Sequence, residues 1–229
     1  MMNILAFDTS TEAFSVALKI GDVTFQHYEI APRMHAQKIL PTIDDLLKQS
    51  GCVLRDIDAF VFGRGPGAFT GVRTAVGVVQ GLAYALDKPV LGISTLMAMA
   101  EGARRERGAT QVISAIDARM GEVYWGAYFW QNGAWQISAT ECVVAPTKVQ
   151  WPGFPSAFAV GSGWAPHRAA LNPPAGLSLQ IEDAIRYPNA IDMLNLAIPA
   201  LQRGESVAAH LAEPVYLRDH VADKPAAKI

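Results

Sequence analysis

The sequence predicts an α/β protein of two tandem lobes, each a mixed sheet flanked by helices. Two observations lead there. A strand, an aspartate, a small residue, a polar residue, a glutamate and a second strand occur twice in that order, at Asp8 to Glu12 and again at Asp117 to Glu122. Each run opens a set of antiparallel strands followed by alternating α and β elements, the signature of a duplicated lobe. The composition agrees: 51% hydrophobic and 17% charged residues over 229 positions imply more buried surface than one lobe needs.

Asn3 to Phe7 reads as a buried strand, Asp8 to Glu12 as a polar turn, and Phe14 to Ile20 and Val23 to Ile30 as two further strands. Between 34 and 49, Ile39, Leu40, Ile43, Leu46 and Leu47 recur with a helical period and Gly51 supplies the stop. Pro41 should kink this helix or mark its true first turn. A strand from Ile57 to Phe62, a glycine-rich loop from Gly63 to Gly67, a helix from Phe69 to Leu86, a strand near Val90 and a helix from Thr95 complete the first lobe, 1–105. The second, 106–229, has strands at Val112 to Ile116, Val123 to Trp130, Trp135 to Val144 and Phe158 to Val160, with proline-rich loops between. Helices around Asn189 to Gln202 close it, and its last segment is expected to pack back on the first lobe.

A formal net charge of -2 offers no general attraction to a phosphate backbone, so contact with RNA would be local or indirect. Arg104, Arg105 and Arg107 form the only tight basic cluster and read as a solvated helix end. Cys52 and Cys142 match no zinc or redox spacing. No basic leader and no run of ~18 apolar residues is present, which predicts a cytoplasmic protein with no membrane contact.

Asp8, beside Thr9 and Ser10, suits a metal-bound phosphate, and the loop carrying Gly65 and Gly67 could present backbone N–H groups to an anion. Those glycines could equally serve only tight turning and close helix packing. No Gly-Lys-Ser/Thr follows Gly67, so this is not a P-loop. The five histidines, His27, His35, His167, His210 and His220, give no pair three or four apart, and no Gly-x-Ser-x-Gly is present. Gly161-Ser162-Gly163 reads as a glycine turn, the remnant of an adenosine pocket.

On the helix from Val72 to Leu86, steps of about 100° place Arg73, Gly77, Gln80 and Tyr84 on one narrow stripe with apolar residues around the rest. So apolar a helix predicts a protein interface, with Gly77 and Gly81 admitting another backbone and Val76 facing the partner from the stripe's edge.

Four segments together resemble the bacterial TsaB (YeaZ) family over nearly the whole chain: Ile4 to Glu12, Gly63 to Arg73, Ala115 to Tyr124 and Glu213 to Arg218. The resemblance implies two lobes of the actin-like ATPase (ASKHA, RNase H-like) superfamily. It implies a non-catalytic scaffold in the biosynthesis of threonylcarbamoyladenosine (t6A) in tRNA. There a TsaD-like paralogue transfers the threonylcarbamoyl group from its adenylate to the adenosine beside the anticodon, and a TsaE-like ATPase joins the assembly. ATP or ADP and metal are expected on the catalytic partner, with none required by this chain, and tRNA is touched only indirectly. The contact is expected on the first two helices as a four-helix bundle using Ile39, Ile43, Leu47, Arg73, Val76, Gly77, Gln80 and Tyr84, the free chain pairing as a homodimer through the same face. Asp8, Ser10, Gly65, Gly67, Asp117, Gly161 and Gly163 are then the vestige of a nucleotide site. A TsaD-type His-x-x-x-His pair is absent from the comparable stretch Gly92 to Ala100, so an older peptidase label lacks its chemistry. The rival readings are an independent nucleotide-binding ATPase and a metallopeptidase.

Overall fold

A computed structural model describes residues 2–218. The first sheet contains β1 (Ile4–Asp8), β2 (Ala13–Ile20), β3 (Val23–Ile30), β4 (Ala59–Gly65) and β5 (Val90–Ser94), in the order β3-β2-β1-β4-β5. The second contains β6 (Gln111–Arg119), β7 (Glu122–Gln131), β8 (Ala134–Val144), β9 (Ser156–Val160) and β10 (Ser178–Ile181), in the order β8-β7-β6-β9-β10. The two orders match strand for strand. In each lobe the first strand pairs antiparallel with the second and parallel with the fourth. The repeated sequence pattern is therefore a repeated topology, two tandem actin-like lobes.

Two strands differ from expectation. β4 runs into the glycine segment instead of ending at Phe62, because Gly63 and Gly65 pair with Ile93 and Ser94 of β5 across a bulge. β10 follows the proline-rich loops where no strand was expected; its Ser-Leu-Gln-Ile alternation is too short to stand out.

The helices are α1 (His35–Ser50), α2 (Phe69–Leu86), α3 (Thr95–Arg107), α4 (Trp164–His167) and α5 (Ala190–Gln202). Helix α1 stops at Gly51, which takes the left-handed conformation and donates its N–H back to the last turn. Pro41 lies inside α1, not at its first turn. Both Pro41 and Gln37, whose carbonyl loses its usual donor, are exposed, so the missing hydrogen bond falls on the solvent side of the helix.

Helices α1 and α2 cover one face of the first sheet, with Ile39, Ile43, Leu46 and Val79 packed on Phe7, Phe14, Phe60 and Phe62. Helix α5 covers the opposite face, Met193, Leu194 and Ala197 meeting Ile4, Ala6 and Val61. The second half of the chain thus supplies a layer of the first lobe. Helix α3 puts Leu96, Met99 and Ala103 on Val112, Ile116 and Tyr128 of the second sheet. The outer face of that sheet is closed by the proline-rich loops around Trp125, whose ring meets Trp151 edge-on at 5.1 Å. Among the described residues no helix is long and apolar enough to cross a membrane.

Candidate functional site: the interlobe cleft and the outer face of α2

The turn after β1, where the sequence offers Asp8 and Ser10 as candidates for a phosphate site, is packed shut. Asp8, Thr9 and Ser10 are fully buried. Asp8 Oδ1 accepts hydrogen bonds from the Ser10 backbone N–H (2.9 Å) and hydroxyl (2.8 Å), and the Ser10 hydroxyl also meets that of Thr95 at 3.1 Å. Asp8 Oδ2 has no partner. Burial raises the Asp8 carboxyl pKa from 3.8 to about 6, opposed by the two Ser10 hydrogen bonds.

The glycine signature closes this turn from outside. The Ala68 N–H donates to the Ser10 carbonyl at 2.7 Å, and the Thr9 hydroxyl donates to the Gly71 carbonyl at 2.7 Å. A side chain at Gly67 would place its Cβ 2.2 Å from that Ser10 oxygen. The start of α2 and the β1–β2 turn are therefore bonded directly to each other at these two points. Gly65, at φ +95° and followed by a cis peptide to Pro66, lies under the carbonyl of Val215.

In the second lobe, Asp117 stands at the end of β6, half-buried. Its carboxylate takes the Arg119 backbone N–H at 3.1 Å, the Arg119 guanidinium at 3.2 Å and His167 Nε2 at 3.2 Å. Gly161 and Gly163 pack against the backbone of Ala115, the Gly163 N–H donating to its carbonyl at 2.9 Å. Between the lobes lies a cleft of about 240 Å³ whose walls include Ser10, Glu12, Gly67, Asp117, Met120 and Arg218. Of the sequence-derived nucleotide candidates, Ser10, Gly67 and Asp117 reach this cleft; Asp8, Gly65, Gly161 and Gly163 do not line it. Arg119 crosses the cleft mouth to Glu12 at 2.8 Å.

The partner-facing candidates divide. Arg73, Gly77 and Tyr84 stand exposed along the outer stripe of α2, Tyr84 at 77%, with Gln80 half-buried beside them. Ile39, Ile43 and Leu47 instead point into the first lobe's own core, and so does Val76, at 8% exposure. Val76 shares that core with Ala209 and Ala212 from near the C-terminus, and Glu213, Pro214 and Tyr216 line a groove beside it. On α1 the outward apolar position is Leu40, at 53%.

The arginine cluster ends in solvent as expected, Arg105 and Arg107 exposed and Arg104 half-buried, but each side chain is also paired within the chain. Arg104 lies over the Trp130 ring at 3.9 Å and pairs with buried Glu101; Arg105 binds Asp192 at 2.6 Å; Arg107 binds Glu182 at 2.6 Å. Burial raises the Asp192 carboxyl to about 6 even against the pull of Arg105. Glu101 also accepts the Trp135 indole N–H at 2.9 Å, joining α3 to the second sheet. His35 keeps Nε2 buried and unpartnered beside Phe14, and burial lowers its pKa. His220 lies outside the described residues. Among those residues no three His, Cys, Asp or Glu side chains gather as a metal set.

The sequence family described as TsaD, tRNA N6-adenosine threonylcarbamoyltransferase, matches residues 27–226. The chain is 46% identical to the tRNA threonylcarbamoyladenosine biosynthesis protein TsaB of Escherichia coli K12, over 97% of each chain. It is 40% identical to the Haemophilus influenzae protein of that name, over 97% of this chain and 96% of that one. The structure of YeaZ from Pseudomonas aeruginosa superposes with a TM-score of 0.88 at 48% identity, over 95% of this chain and all of that one. With full-length similarity in sequence and in fold, the chain belongs to the TsaB (YeaZ) family.

Proposed function

We propose that this chain is a non-catalytic subunit of the machinery that makes t6A in tRNA, working in the cytoplasm by docking onto a TsaD-like catalytic subunit. The observation that favours a silent role is the closed first-lobe turn. Asp8 is fully buried behind Ser10, and the N–H of Ala68, the residue that precedes the first turn of α2, is bonded to the Ser10 carbonyl at 2.7 Å. Actin-like phosphate chemistry needs an accessible carboxylate at that place, and Asp8 is fully buried. The related TsaB proteins, named for t6A biosynthesis, supply the pathway.

Docking is assigned to the outer face of α1 and α2. Leu40, Tyr84 and Phe69 expose apolar surface there, and Gly77 and Gly81 leave the α2 backbone open, with no atom within 4 Å of where a Cβ would stand. In this reading ATP and metal act on the catalytic subunit, a TsaE-like ATPase joins the assembly, and the free chain pairs with itself through the same face. Reconstitution tests it: the chain and a TsaD-like subunit should co-elute as a stoichiometric complex, and tRNA modification should require both. Saturable binding of ATP to the isolated chain by calorimetry, or modification without this chain, would overturn the reading in favour of an independent ATPase.

A further inference from the structure

The segment 212–218 lies across both lobes, tied at each end. At its start the Gln80 side-chain amide of α2 donates to the Ala212 carbonyl at 3.0 Å. In its middle the Val215 N–H donates to the Arg64 carbonyl at 2.7 Å. Next, Tyr216 takes the Arg73 Nε–H on its hydroxyl at 2.8 Å, while the Arg73 guanidinium lies 3.5 Å over the Phe69 ring. At its end Arg218 reaches the second lobe, pairing with Glu122 at 2.7 Å and meeting the Arg119 carbonyl at 3.5 Å. Two of the three polar side chains on the outer stripe of α2, Arg73 and Gln80, are therefore committed to this strap.

The same strap walls the cleft. Val215, Tyr216, Leu217 and Arg218 face Glu12, Asp117 and Met120 across it. The turn it holds at the far end is strained: Arg119 and Met120 both have positive φ, 62° and 55°, in the left-handed region that side chains disfavour. Such a turn keeps its shape only while its surroundings hold it, and Arg218 is one of those holds.

We propose that the strap is a mechanical link: docking on the outer stripe of α2 is transmitted through Arg73, Tyr216 and Arg218 to the Arg119–Glu122 turn at the cleft. This rests on the docking reading above. A partner that packs along the stripe meets Arg73 and Gln80, and both already hold the strap, so it must stiffen the strap or pull it away. Either changes the support of the strained turn.

Hydrogen–deuterium exchange of the full chain, alone and with the TsaD-like subunit, tests the link in wild type, Tyr216→Phe and Arg218→Ala. Tyr216→Phe removes one hydroxyl and keeps the ring; Arg218→Ala cuts the far tie without touching α2. In wild type the partner should alter exchange in α2, at Val215 and in the 119–122 turn, the last by several-fold. In both variants the change in α2 should persist while the change in the turn disappears. A turn that ignores the partner in wild type, or responds equally in the variants, overturns the link while docking stands. No change in α2 overturns the docking reading itself, and the link with it.

Discussion

The unpaired oxygen of Asp8 occupies the space that a side chain on Gly63 would need: a Cβ added there would lie 1.7 Å from Asp8 Oδ2. This glycine inside β4 is thus a steric requirement of the buried aspartate, and the two positions stand or fall together. Gly63→Ala should displace Asp8 and loosen its Ser10 hydrogen bonds. The expected cost is about 3 kcal/mol, the upper part of the range for overpacking a filled core. Urea unfolding at constant slope measures it, and wild-type stability would refute the packing.

Asp8 also makes stability depend on pH with a defined sign. Its folded pKa, about 6, exceeds its unfolded value of 3.8, so the folded state holds the proton more tightly. The associated stability is complete below pH 3.8 and is lost as the pH rises through about 6. The span corresponds to roughly 3 kcal/mol. Asp8→Asn should flatten this part of the profile and leave the variant at least as stable as wild type at pH 7. Melting temperatures of both proteins between pH 4 and 8 check it; parallel curves would mean that Asp8 does not titrate in this window.

Neighbouring residues of α2 should respond oppositely to the same substitution. Val76→Arg drives a charge into the first core and should lower stability by several kcal/mol or prevent soluble expression. Gly77→Arg points into open space and replaces a weak helix former, so the isolated chain should melt at the same or a higher temperature, by up to ~1 kcal/mol. It should nonetheless fail to co-elute with a TsaD-like subunit, since it fills the approach to the stripe. A Gly77→Arg chain that still forms the complex would remove this face from the interface.

Glu101 ties α3 to the second sheet through the Trp135 indole and to Arg104, and it is 2% exposed. Glu101→Gln keeps an acceptor but loses the charge-assisted bonds. A loss of about 2 kcal/mol is expected, lowering the melting temperature by ~4–8 °C in a chain of this size. A calorimetric scan decides it, and an unchanged midpoint would show the junction to be held by apolar packing alone.

What the sequence determined by itself is local and periodic. The repeated Asp-to-Glu runs marked the two lobes, Gly51 stopped α1, and the 3.6-residue period placed Arg73, Gly77, Gln80 and Tyr84 on one stripe of α2. Such signals depend on neighbours a few residues away, so they survive without the rest of the fold. The tertiary structure alone decided what covers each face. Val76 stands at the edge of the stripe in projection, yet it is buried in a core that also takes in Ala209 and Ala212, the latter tied to Gln80. The period of a helix orients its residues about their own axis and carries no information on a segment more than a hundred residues away. For the same reason the burial of Asp8 behind Gly63, Gly67 and the start of α2, and the crossing of α5 onto the first sheet, appear only when the chain has closed on itself.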